Sequence, residues 1–200
     1  MATRRVFYVR DGKVHSEEVS FRYNPLHKKL AIASMHREIS GNAIEVSSKS
    51  EEELGLKLSP CNLKLHGFPV ENVFQASKVF QFGGPYVDLL EVSTRKAKRD
   101  ERLKRSGQLI AYEYNGERWC SCLKILFYEY ICICAVRETF STKDLMKLLE
   151  YEYFTDINYK KAINTARIAA VIKSLVVNFG TIPKMTHDEF FWYHRNFVVP

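Results

Sequence analysis

Residues 68–86 read FPVENVFQASKVFQFGGPY. The middle of this stretch has the pattern of a helix, on which positions i, i+4 and i+7 share a face. Glu71, Gln75 and Lys78 fall on that face, while Val73, Phe74 and Phe80 point away from it toward a core. A stripe of acid, amide and amine among so many aromatics is either a wetted surface or the wall of a pocket. Two local features favour the wall. Phe68-Pro69-Val70 opens the helix, so Glu71 lies in its first turn, where the backbone dipole favours a carboxylate. Gly83-Gly84-Pro85 breaks it. Glycine lets backbone approach a ligand closely, which makes Gly83 and Gly84 candidate binding positions.

Upstream, CNLKLHGFPV alternates apolar and polar residues and turns at Gly67, as a strand and tight turn leading into that helix. RRVFYVRDGKVHSEEVSFRY reads as two strands around an Asp11-Gly12 turn. Leu26–Ile39 reads as a helix and AIEVSS as a short strand. Downstream, a second helix carries a basic run and stops near Ser106-Gly107. QLIAYEYNGERW is a strand with an Asn115-Gly116 turn. Leu123–Val136 is apolar enough for a buried helix, although its β-branched and aromatic residues also suit a strand. STKDLMKLLEYE begins with Ser141 or Thr142 as cap. INTARIAAVIKSLVVNFG is a further helix closed by Gly180. The aromatic tail MTHDEFFWYHRNFVVP is expected to pack back. These elements predict an α+β fold: a helix-dominated single domain over residues 1–200 with small antiparallel β elements.

The chain has 200 residues and 46% hydrophobic content, enough for a real core. No apolar run is long enough to span a bilayer. The start, MATRRVFYVRDGKV, lacks the apolar region of a signal peptide, so a cytoplasmic protein is expected, without membrane partners. Cys120, Cys122, Cys132 and Cys134 form two C-x-C pairs beside a fifth cysteine, Cys61. Zinc sites favour C-x₂₋₄-C spacing, and buried free cysteine behaves as a small hydrophobe. The histidines are scattered. No metal and no cofactor are expected.

The net charge is +7, and much of it is local. Thr94–Arg105, TRKAKRDERLKR, sets seven basic residues against two acids, an excess of +5. Such a run is either a solvated face or a surface that neutralises phosphates.

Several motifs together resemble the NADAR family. PVENVFQASKVF resembles its signature. GERWCSCLKILFYEYICICAV resembles its tryptophan followed by a lysine-bearing helix. LLEYEYFTDINYKKAINTARIAAVI resembles its late aspartate and helix-opening asparagine. IEVSSKSEEELGLKLSPCNLKL and FQFGGPYVDLLEVSTRKAKRDERLKRSG are similar to the branch associated with DarT-type DNA ADP-ribosyltransferase toxins. The resemblance runs from about Ile44 to about Lys173. It implies hydrolysis of the N-glycosidic bond between ADP-ribose and a guanine base in DNA. The partners would be ADP-ribosylated DNA, ADP-ribose as product and a DarT-type toxin, with the protein as antitoxin. The wider family supplies a second substrate class, small phosphoribosyl-type metabolites of the riboflavin pathway. A non-catalytic module that binds ADP-ribose or DNA is a third reading.

By the same resemblance, Glu71 matches the catalytic glutamate, and Gln75 and Lys78 match the rest of its motif. Trp119 matches the tryptophan, Lys124 the lysine after it, Asp156 the late aspartate and Asn164 the helix-opening asparagine. One departure is Cys120, where this branch is expected to carry proline. Cleaving an N-glycoside builds positive charge at the ribose C1″ and releases a nitrogen leaving group. The site needs a carboxylate near C1″, a group that activates water or attacks, and a proton donor. Glu71 and Asp156 suit the first two roles. Lys78 or Lys124 suits the third, or attack on an opened ribose aldehyde to form a Schiff base. Arg95, Lys98 and Arg99 are candidates to hold pyrophosphate or DNA phosphates. Trp119 would stack on a base or sit in the core. Asn164 would bind ribose or phosphate or cap a helix, and Asp156 could be a turn residue. Ser47, Ser48 and Lys49 would line the same cleft.

Overall fold

The structure is a computed structural model and describes residues 2–24, 29–33, 42–156 and 163–199. Along the chain, β1 (Ala2–Arg10), β2 (Lys13–Asn24), β3 (Lys29–Ala33) and β4 (Ala43–Glu45) precede the short helix α1 (Glu53–Lys57). Next come β5 (Lys64–Leu65), β6 (Phe68–Pro69), α2 (Val70–Ala76) and β7 (Lys78–Phe80). Helices α3 (Thr94–Arg99) and α4 (Arg102–Arg105) lead to β8 (Leu109–Tyr114), β9 (Glu117–Cys120) and the long α5 (Lys124–Thr139). Then follow α6 (Thr142–Glu150), β10 (Tyr153–Thr155), α7 (Thr165–Phe179) and α8 (His187–Phe197). The fold is thus mixed, with more helix than strand. The described residues form two compact units, Met1–Leu58 with Phe140–Pro200, and Ser59–Thr139.

Three two-residue turns set the hairpins. Asp11-Gly12, His66-Gly67 and Asn115-Gly116 each carry two consecutive positive φ values between 51 and 83°. This is the turn geometry whose twist matches the strands it joins, and it explains why a glycine stands second in each. The first unit contains a five-stranded sheet in the order β3-β2-β1-β10-β4. Its pairs are antiparallel except β10 with β4, which is parallel. Helix α7 packs on β1, β2 and β10, and Ala166, Ala169, Ala170, Val171 and Ile172 along it are buried. Its N-terminal amides are accepted by the Asn164 side chain, and Gly180 closes it in the left-handed conformation. The capping boxes Ser141/Asp144 and Thr186/Glu189 start α6 and α8. Phe190 and Tyr193 of α8 are buried.

In the second unit, β7-β8-β9 form a three-stranded sheet, and α5 packs on β5 and α2. Phe74, Tyr112, Trp119 and Phe127 make an aromatic core with centroid separations of 4.8 to 6.3 Å. A smaller cluster of Ala76, Leu89 and Ala97, covered by Tyr86, Leu90, Val92 and Leu103, holds α3 against α2. Asn72 locks the intervening loop. Its buried amide donates to the carbonyls of Leu89, Leu90 and Val92 at 2.6 to 3.3 Å.

Three expectations change. Lys29–Ala33 is a strand paired with β2 rather than part of a helix, and the rest of Leu26–Ile39 lies outside the described residues. The helix opened by Pro69 ends at Ala76, because Lys78–Phe80 pair with β8 and a sheet hydrogen-bond ladder replaces the next helical turn. The basic run is two short helices, since Asp100 takes an extended ψ of 126° and its carboxylate receives the Arg102 amide and guanidinium.

Asn72→Ala strands those carbonyls in a dry environment. It is expected to cost about 1–3 kcal/mol in urea unfolding, with the helical circular-dichroism spectrum retained below the transition.

Candidate active site

Two backbone hydrogen bonds fix the start of α2. The Val70 amide donates to the Leu63 carbonyl at 2.9 Å and the Glu71 amide to the Pro60 carbonyl at 3.0 Å. These satisfy amides that a helix leaves open at its first turn, and they turn the Glu71 side chain inward. Glu71 is only 8% exposed. Its Oε1 accepts from Gln75 Nε2 at 2.8 Å and its Oε2 from the Tyr128 hydroxyl at 2.7 Å. Lys98 Nζ lies 3.4 Å from the same Oε2. A buried carboxylate is tolerated only when paired and hydrogen-bonded, and Glu71 has both. The Tyr128 phenol is held well above its usual range, first by burial and then by the Glu71 charge beside it, so it stays a proton donor.

Lys78 reaches the same place by a different route from the one its spacing implied. It is not on α2 but opens β7, one residue past Ser77, which caps the end of the helix. Its Nζ donates to Gln75 Oε1 at 2.6 Å and lies 4.9 Å from the centre of the Phe74 ring. Gln75 therefore bridges acid and amine, giving its NH₂ to Glu71 and its carbonyl to Lys78. Burial, and next the Lys124 ammonium, lower the Lys78 pKa from 10.5 to about 8, against a smaller raising effect of Glu71. Lys124 itself is exposed at the start of α5.

Lys98 sits on α3 with its charge directed at Glu71, while Arg95 and Arg99 on the same helix are exposed. Arg102 is engaged by Asp88 and Asp100. Gly83 and Gly84 have internal reasons to be glycine. A side chain at Gly83 would strike the Tyr86 hydroxyl, and one at Gly84, where φ is +87°, would strike the Lys78 carbonyl. Trp119 is 1% exposed with Phe127 and Tyr130 against its ring, so it packs the core and offers no face to a base.

The remaining candidates belong to the other unit. The buried Asp156 carboxylate accepts from the Thr165 amide, and the single Thr165 hydroxyl proton lies between that carboxylate and the Val46 carbonyl, 2.6 Å from Oγ1. Asn164 is buried as the α7 cap. Ser47 donates to Glu45 at 2.8 Å, while Ser48 and Lys49 are exposed. The sequence reading missed Tyr128. The available signal was a phenol inside an apolar helix, which needs a partner once buried. Among the described residues, no group of three or more His, Cys, Asp or Glu is placed to hold a metal ion. Among them, too, no helix is long and apolar enough to cross a membrane.

The family described as DarT1-associated NADAR antitoxins matches residues 2–196. The chain is a NADAR protein, and within that class it belongs to the DarT1-associated antitoxins. No curated protein matches it.

The charges around Lys78 predict its titration. Acylation of Lys78, followed by mass spectrometry against pH, should show a midpoint near 8. Lys124→Gln should raise that midpoint and Glu71→Gln should lower it. Because the folded-state pKa lies below 10.5, the unfolded chain binds more protons between about 8 and 10.5. Lys78 therefore makes stability rise with pH across that window and fall again as pH drops through 8. In Lys78→Met, this part of the pH dependence of unfolding should vanish.

Proposed function

We propose that this protein is an ADP-ribosyl-DNA glycohydrolase that cleaves the N-glycosidic bond between ADP-ribose and guanine, and so reverses the modification made by a DarT-type toxin. The observation that carries this reading is the buried Glu71 carboxylate, joined through Gln75 to an amine whose pKa is about 8. Two titratable groups with environments that separate their roles are the usual mark of an acid–base pair.

In this reading, Glu71 faces the ribose C1″ and stabilises the positive charge that develops as the bond to guanine stretches. Tyr128 and Gln75 hold the carboxylate in place, so little reorganisation is needed when that charge appears. Lys78 is preferred to Lys124 as the working amine. It is the less exposed of the two, and near neutral pH it carries a proton that it can give to the departing nitrogen and then exchange. Acid–base assistance accounts for about 10²–10⁴-fold, so positioning must supply more. Lys98 is set to leave Glu71 for an arriving phosphate, which would also unmask the carboxylate. Arg95 and Arg99 lie on the same helix for the flanking phosphates, and arginine suits such contacts.

Purified protein should release free ADP-ribose from an oligonucleotide carrying ADP-ribosylated guanine. Glu71→Gln should lower the rate by at least about 10²-fold with an unchanged unfolding midpoint. Full activity in that variant, or no release by the parent protein, would contradict the assignment. Arg95→Gln and Arg99→Gln should each reduce the slope of log affinity against log salt by about 1. A rate independent of salt, with turnover of a free nucleotide instead, would favour a small-molecule glycosidase.

A further inference from the structure

The C-x-C pair at Cys120 and Cys122 has no part in the site described above, yet its geometry is specific. Cys120 ends β9, and Cys122 lies in the single 3-10 turn, Ser121–Leu123, that joins β9 to α5. Both ends of this segment are anchored, by the buried Trp119 on one side and by α5 on the other. The two thiols between them are exposed, and their sulfurs lie 2.8 Å apart. We propose that Cys120 and Cys122 are a reversible dithiol/disulfide couple, a modification site for low-molecular-weight disulfides. The inference stands on the turn alone and does not depend on the reading of Glu71.

The other cysteines set the contrast. Cys132 is fully buried and its thiol is pushed well above the usual range by burial, while burial of Cys134 raises its thiol to about 11. Thiols of that kind are inert. Cys120 is shifted the other way, chiefly because the Cys122 thiol hydrogen-bonds to it, and the attacking role is assigned to it in the proposal. A closed metal site would need more ligands, and among the described residues no such group exists.

The exchange balances with a small disulfide as oxidant. The Cys120 thiolate attacks one sulfur of the disulfide, forms a mixed disulfide and releases the first small thiolate. Cys122 then loses its proton and attacks the Cys120 sulfur. The Cys120–Cys122 bond forms, and the second small thiolate leaves. Two electrons pass from the protein to the small disulfide, and the two thiol protons end on the two released thiols. The ring closes across the turn that sets Lys124, two residues further on.

The test is incubation of the full chain in buffers of graded oxidised to reduced glutathione, followed by intact and peptide mass spectrometry. The expected product has lost the mass of two hydrogens, with both cysteines in one closed peptide and Cys61, Cys132 and Cys134 still free. Dithiothreitol should reverse it. Cys122→Ser should stop at the glutathione adduct on Cys120, and Cys120→Ser should react several-fold more slowly than Cys122→Ser. A parent protein that accumulates the adduct without closing, or a bond mapped to Cys61 or to a second chain, would overturn the proposal.

Discussion

The cost of taking one carboxylate out of water organises the Ser59–Thr139 unit. An unpaired buried charge costs several kcal/mol, so Glu71 requires donors from outside its own helix. It obtains them from α5, through Tyr128, and from α3, through Lys98, with Gln75 supplying the third from one turn along α2. The elements that pack around α2 are those that bring these groups. The Leu89 and Ala97 cluster seats α3, the Asn72 amide locks the loop before it, and the aromatic core seats α5. Packing and polar satisfaction therefore point to one arrangement, as expected of a sequence that specifies a single state.

The same arrangement explains the amine. Lys78 lies at the point where α2 gives way to β7, with its stem beside Phe74 and its head group on Gln75. Desolvation there acts together with Lys124 to weaken its hold on the proton. The β7 backbone that carries it is paired with β8.

The sequence was most informative where local chemistry decides. Aspartate–glycine and asparagine–glycine turns and the Gly180 stop appear as read, Ser141 rather than Thr142 caps α6, and the apolar run of α5 is a helix rather than a strand. It was least informative where tertiary pairing overrides period. Glu71, Gln75 and Lys78 do converge, but through a helix–strand junction that helical spacing cannot reveal. Lys29–Ala33 joins a sheet because β2 offers it an edge. Trp119 and Asn164 take the structural roles that were weighed against their functional ones, core packing and helix capping. A side chain at Gly83 or Gly84 would meet Tyr86 or the β7 backbone. Tyr128 could be found only by asking what a buried phenol bonds to.

The most direct measurement is a crystal structure of Glu71→Gln soaked with an ADP-ribosylated guanine nucleotide. The ribose C1″ should lie within about 3–3.5 Å of the residue-71 side chain, the distance of a reactive pose, with Lys78 Nζ in hydrogen-bond reach of the leaving nitrogen. A ligand bound with its C1″ away from residue 71, while Tyr128 and Gln75 still enclose that side chain, would contradict it.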